Sequence, residues 1–488
     1  MVQRGSLHRL YFRVLRFSGL STLLVMAPLA LAETAPAKTG AAKEMPNEDV
    51  LGEFVVTGTM QEHFPKIAIL PNSDPAYEDV IVRTVVRKDL DLSGMFRLIP
   101  DSEAPVGAYG FTDPVDVTAW QRLGAEAVVK VAAREHESDK KKIEVIGIAY
   151  FPSVGKAPVY ETKLVVDKTN ARKTAHQITD DLLGALTGRP GGFSSRFAFS
   201  GPWGRNLRIF TVDSDGHGLK PQTDEKTTSI SPTFGDHGHL VYSESKDYMP
   251  FRLHAKRVDG DESAAFNLEF KGSVYSSSFD AEKKRLAVAV AEEGKSAIFV
   301  GDTDGTNMKR ISTTELATHP AFSSEGHLAW VGGSVENRSQ RVYVDGKAVS
   351  PSGFTASAPT FCDTEDGVFL IYAVAVGGER QDLILSRPNG QGVTRLTQNQ
   401  GSNSYPACSP DGRLLAFFST RGGDEGLYVL SLKRWTTQRI RGGMGESLRW
   451  EALSRDELTD TRAKTDKNAA PLVKPNLGPA CGLAPGPS

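Results

Sequence analysis

Cysteine is scarce: three in 488 residues, at positions 362, 408 and 481, an odd number at wide spacing. None stands near a histidine at ligand spacing and no Cys-x-x-Cys occurs, which excludes a structural zinc site, a dithiol redox centre and a disulfide scaffold. One bridge, Cys362 to Cys408, is compatible with the sequence, but the plainer reading is two small buried thiols and one tail thiol. Long apolar runs are also lacking, since no stretch of 18 apolar residues follows residue 32 to cross a bilayer. A dominant charge of one sign is missing too. The net charge is −2 overall and −6 beyond residue 32, so there is no positive field for nucleic acid.

Catalytic signatures are absent in their turn. Gly-x-Ser-x-Gly, His-Glu-x-x-His and Gly-x-Gly-x-x-Gly do not occur in a usable context. Gly294-Lys295-Ser296 imitates the end of a phosphate loop, but Ala289 stands where its first glycine is required and the segment reads as a hairpin. His237 and His239 flank a turn glycine with no further ligand at fixed spacing. Asp213, Asp215, Asp302 and Asp304 lie in Asp-x-Asp-Gly turns, where the side chain bonds the backbone two residues on; the distal Glu of a calcium loop is missing. The expectation is therefore a protein without enzyme chemistry, cofactor or metal.

What is present begins with Arg4, Arg9, Arg13 and Arg16 ahead of an apolar stretch at 20–31 that ends Ala30-Leu31-Ala32. A charged start, a short apolar middle and a small-x-small end predict a secretory signal over residues 1–32, cleaved to leave a mature chain that spans no membrane. Residues 33–50 form a polar leader, and residues 453–488, rich in Pro, Gly and Ala towards the end, form a second disordered segment. Between them, residues 51–190 mix the two periodicities. Runs at 66–70, 96–99, 127–132, 143–151 and 159–166 read as strands, and those at 77–92, 115–123 and 170–186 as helices stopped by Gly94, Gly124 and Gly188. Helices on one mixed sheet make an α+β domain. Lys140, Lys141 and Lys142 read as a solvated turn within it.

Past a Gly-rich hinge at 188–192 the helical period vanishes and a motif recurs: Pro232-Thr233-Phe234, Ser277-Ser278-Phe279, Pro320-Ala321-Phe322, Pro359-Thr360-Phe361, Pro406-Ala407-Cys408 and Leu448-Arg449-Trp450. The intervals are 45, 43, 39, 47 and 42 residues, each of the first five motifs leading into a turn and further short strands. Such a unit cannot bury both faces of its small sheet until it packs against neighbours around an axis, so residues 193–452 are predicted to form a six-bladed β-propeller. The last repeat supplies only an innermost strand, and the segment from 193 to 216 has strands without a motif. The ring should close by sharing one blade between them.

Several segments resemble the TolB family of the Tol-Pal system: Asp89-Leu90-Asp91-Leu92-Ser93-Gly94-Met95-Phe96, Trp120 with Leu123-Gly124-Ala125-Glu126, and Ala175-His176-Gln177-Ile178-Thr179-Asp180 with Leu186-Thr187-Gly188 and Gly192-Phe193. The resemblance implies a periplasmic scaffold of a Gram-negative bacterium that binds the lipoprotein Pal through its propeller and TolA through its amino-terminal region. Such proteins, which also meet other outer-membrane proteins, support outer-membrane integrity and constriction at cell division. Thr318 matches a Thr of the family's Pal-contact rim, although His319 stands where the family has an acid and a family rim His is replaced near Ser273. Ser404 and Tyr405 are further rim candidates, and the residue before each repeat's Pro is expected where the chain enters the innermost strand. The competing reading of each is a loop residue that satisfies turn hydrogen bonds. Glu53-Phe54-Val55-Val56-Thr57 most resembles the family's partner-binding amino-terminal stretch, and an edge strand of its own domain is the alternative. Two rival functions remain open: a propeller for a small ligand or glycan, and a hydrolase-related propeller without its catalytic domain.

Overall fold

The mixed periodicities of the amino-terminal half become one sheet and three helices in the computed structural model, which describes residues 63–452 except 73–74, 108, 236–238, 281, 337–338 and 379. The predicted signal, leader and tail lie outside the described residues, as do residues 53–57, His237 and Cys481. Strand β1 (Lys66–Ile69) sits between β2 (Arg97–Leu98) and β3 (Ala127–Glu135), parallel to both; β4 (Lys142–Tyr150) and β5 (Tyr160–Asp167) continue the sheet antiparallel. Successive strand side chains alternate, so Ile67, Ile69, Val129 and Val131 bury on one face and Ala68, Leu70 and Val128 on the other.

Three helices cover those faces. Helix α1 (Tyr77–Leu92) brings Val82, Val85, Val86 and Leu90 to the first face, each burial contributing roughly 2 kcal/mol. Helix α2 (Val117–Arg122), capped by the Asp116 carboxylate, places Trp120 on the second, and α3 (Ala171–Thr187) returns to the first. Gly147 in β4 admits α3 closely: a Cβ there would lie 2.8 Å from Ile178. Gly188, with φ of 82°, ends α3 in the left-handed conformation that a residue with a Cβ resists. Lys140, Lys141 and Lys142 lie exposed at the β3–β4 turn, as predicted.

Residues 196–450 form six four-stranded antiparallel sheets, the predicted propeller. The innermost strands of blades 2 to 6 are Thr228–Phe234, Ser273–Asp280, Leu316–Phe322, Ala356–Thr364 and Asn403–Cys408, and each repeat motif lies on one of them. Blade 1 takes its innermost strand, Glu446–Trp450, from the far end of the chain, pairing Trp450 with Phe197 and Arg449 with Ala198. Trp450 locks this closure: its ring stands 4.3 Å from that of Phe197 and its Nε1 donates to Ser195 Oγ at 2.8 Å.

Two sequence expectations need correction. The 188–192 segment is no free hinge, because one continuous core runs from Ile67, Val86 and Leu182 through Phe193 to Phe197, Phe418 and Trp450. Gly191 and Gly192 are buried for close approach rather than for motion. A Cβ at Gly191 would collide with Asp180, and one at Gly192 would lie 2.9 Å from Pro410. Cys362 and Cys408 are not free thiols but a disulfide, with Cα atoms 5.3 Å apart. Their separation of 46 residues is about one repeat, so the two sulfurs fall side by side on adjacent innermost strands of blades 5 and 6.

Candidate partner-binding face

Antiparallel blades give the propeller two distinct ends. In each blade the first-to-second and third-to-fourth turns lie at one end, and the second-to-third turn and the link into the next blade at the other. The amino-terminal domain occupies the first end. Ser431 Oγ donates to Ser93 O at 3.3 Å, Arg434 Nη1 to Phe96 O at 3.2 Å, and Gln438 to Asp91 Oδ2 at 3.2 Å. Buried Arg413, in the turn that follows Pro410-Asp411-Gly412, donates to Arg189 O and Pro190 O, each at 2.8 Å, and to Thr187 Oγ1 at 2.9 Å. Gly94 has φ of +67°, and a Cβ on it would collide with Ser431.

The electrostatics of this junction centre on His176. Its Nδ1 lies 2.6 Å from Asp89 Oδ2, and Asp213 and Asp215 stand near enough for the three ligand atoms to fall within 4.8 Å of one another. Burial opposes charge on the imidazole, but Asp89, Asp215 and Asp213 hold its pKa up to about 9. Burial pushes the Asp89 carboxyl up while His176 pulls it down; the positive imidazolium is the state these carboxylates favour together. The His-Asp-Asp set has the make-up of a metal site, and Asp215 within it also pairs with Arg172 and Lys88. Burial also pushes Asp180 up to about 7, although its carboxylate accepts from Phe193 N at 2.6 Å and from Ser194 N at 2.8 Å.

The opposite end carries the rim candidates. Each innermost strand slips register near its start: a β-bulge separates Thr318 from Ala321 in blade 4, Ser404 from Ala407 in blade 6, and equivalent pairs elsewhere. The residue before the motif therefore lies inside the strand, not where the chain enters it, which corrects the expectation from sequence. In five blades it adopts a left-handed backbone: Ser231 (φ 51°), His319 (52°), Ala358 (48°), Tyr405 (52°) and Ser447 (53°), at roughly 1 kcal/mol each for a residue with a Cβ. The proline that follows in four of them is tolerated because this strand is the inner edge of its sheet.

Thr318 and His319 in blade 4 and Ser404 and Tyr405 in blade 6 thus occupy matching bulges, all half-buried. His319 Nδ1 and Thr318 Oγ1 are 3.0 Å apart. Burial, with the positive charge of Arg449 added, pushes the His319 pKa down to about 4. Burial raises the Tyr405 hydroxyl, helped by Glu446. The same face exposes Tyr248 and Met249 on a second-to-third turn of blade 2, and Tyr275 beside Phe251 with ring centroids 5.4 Å apart. Arg449 of blade 1 stands at a motif position whose counterparts, Thr233, Ser278, Ala321, Thr360 and Ala407, are all small, a contrast readable in the repeats.

Residues 53–147 match the family model described as the TolB amino-terminal domain. The Tol-Pal system proteins TolB of Dinoroseobacter shibae and Chromobacterium violaceum are each 28% identical, over 182 and 239 residues, which are 36% and 48% of this chain and 40% and 52% of theirs. The resemblance to the TolB family is borne out. The matched stretches span about two-fifths to one-half of the length of these curated TolB relatives. TolB from Acinetobacter baumannii superposes with a TM-score of 0.65 at 20% identity, covering 80% of this chain and 98% of that one, so the propeller and its amino-terminal domain share the TolB fold. Most of the TolB-like motif residues gather at one place: Asp89, Asp91, Ser93, Gly94, His176, Asp180 and Phe193 lie at the domain junction, whereas Trp120 and Ala125 pack on the far face of the amino-terminal sheet.

Proposed function

We propose that this protein is a periplasmic, non-enzymatic scaffold of the Tol-Pal type. Residues 1–32 direct export, the propeller end bearing Thr318, His319, Ser404 and Tyr405 binds Pal, and the segment at 53–57 binds TolA, in support of outer-membrane integrity and constriction. The observation that carries this reading is the division of labour between the two ends. The amino-terminal domain packs on blades 6 and 1 at one end of the ring, and among the described residues none of its hydrogen bonds reaches the bulged end, whose exposed aromatic side chains suit a protein partner. The Cys362–Cys408 disulfide agrees with an oxidising compartment.

The test is calorimetric titration of residues 33–488 with the soluble domain of Pal from the same source. Saturable one-to-one binding, weakened tenfold or more by Thr318→Arg, about 1.4 kcal/mol, is the expected result. Absence of binding would remove Pal as the direct partner and favour a small ligand in the channel.

A further inference from the structure

Among the described residues, Arg449 is a cation without an anion. It stands on the innermost strand of blade 1, at the one motif position of the six that is not small, and half-buried. Among the described residues its side chain has a single hydrogen bond, from Nη1 to the Leu448 carbonyl at 3.1 Å, and no carboxylate within ion-pair distance. Leu448 and Trp450 on either side pack in the core shared with blade 6, which Arg449 does not join; at the bulge just before it, Ser447 Oγ lies 3.5 Å from Ser231 Oγ of blade 2. Its charge is felt by His319 of blade 4, the blade across the ring, and burial lowers its own pKa to about 10. A guanidinium is kept in such surroundings at a desolvation cost that a fitting anion offsets. Its planar fork matches a carboxylate, to which it donates two parallel hydrogen bonds.

We infer that the central channel, at Arg449, is a binding site for a carboxylate, presented as an acidic side chain of the protein that docks on the bulged end. The occupant rests on the docking reading above; the site itself does not. His319, held neutral, adds no second charge, and the hydroxyls of Thr318, Ser231 and Ser447 supply polar neighbours for the entering group. The proposed interface would then be anchored by one buried charge pair, which sets register more than bulk affinity.

The experiment titrates the mature chain, wild type, Arg449→Gln and Arg449→Lys, with sodium succinate at low ionic strength and separately with the soluble Pal domain, and records melting temperatures. Succinate should bind wild type saturably, at least tenfold more weakly to Arg449→Gln, with partial recovery in Arg449→Lys. Pal should lose at least tenfold in Arg449→Gln. The melting temperature of Arg449→Gln should be equal or higher, because a lone buried charge is removed. Succinate binding lost in Arg449→Gln with no Pal binding even to wild type would support the site and overturn the docking reading. Unchanged affinity for both probes in Arg449→Gln, or a melting temperature lowered by several degrees with binding intact, would overturn the inference and make Arg449 a packing residue.

Discussion

Nδ1 of His176 lies 2.6 Å from Oδ2 of Asp89, joining α1 and α3 by a buried ion pair directly beneath the propeller. The pair couples two segments 87 residues apart and extends through Asp215 to Arg172 and Lys88.

Stability should depend on pH through this imidazole. Its pKa is raised from 6.5 in the unfolded chain to about 9 in the folded one, so its contribution is full below about pH 6.5 and is lost as pH rises through 9. Urea unfolding at pH 6, 7.5 and 9.5 should show wild-type stability falling across that window. His176→Gln should lie about 3 kcal/mol lower at pH 6, because Asp89 is left buried without its partner, and should show a flatter profile.

Arg413→Ala should loosen the junction more than either domain. Four hydrogen bonds from this buried guanidinium reach Asp411, Thr187, Arg189 and Pro190. Their loss should cost about 3 kcal/mol. Hydrogen exchange should rise at residues 187–195, while the inner strands of blades 2 to 4 keep their protection.

Replacing both Cys362 and Cys408 by Ala should lower stability by about 4 kcal/mol, from a sequence separation of 46 residues. Chemical denaturation of the variant, and of wild type unfolded in the presence of a reductant, checks this. Equal midpoints for all three samples would contradict it.

Trp450→Ala should open the ring at its closure. The substitution removes the tilted ring contact with Phe197 and the bond to Ser195, and leaves a cavity against Leu448 and its neighbours, for a loss of about 4 kcal/mol. Limited proteolysis should then cut within residues 196–213 and 446–452 before the other blades.

The elements of the amino-terminal domain were legible because each carries its own local signal: Val82, Val85, Val86 and Leu90 at helical spacing, and glycines at the ends of α1 and α3. The propeller was legible for a different reason, since a motif recurring about every 43 residues reports the blade count without any single strand being clear. What escaped depends on contacts between repeats. The disulfide needs two innermost strands placed side by side, and the buried state of Gly191 and Gly192 needs Asp180 and Pro410 brought to them from either side of the chain. The bulge at His319 and Tyr405 was hidden because a left-handed residue that is not glycine has no mark in the sequence.

Ring closure by the last innermost strand also decides where chemistry can be attached to the molecule. Trp450 pairs with Phe197 at the end of the ring where the amino-terminal domain sits, and Glu451 N still bonds Arg196 O at 2.9 Å. A fluorophore, a biotin or a surface linker placed just after Glu451 therefore departs beside that domain. A sensor chip loaded through this point would hold every copy in one orientation, with the bulged mouth of the channel turned to the flowing solution.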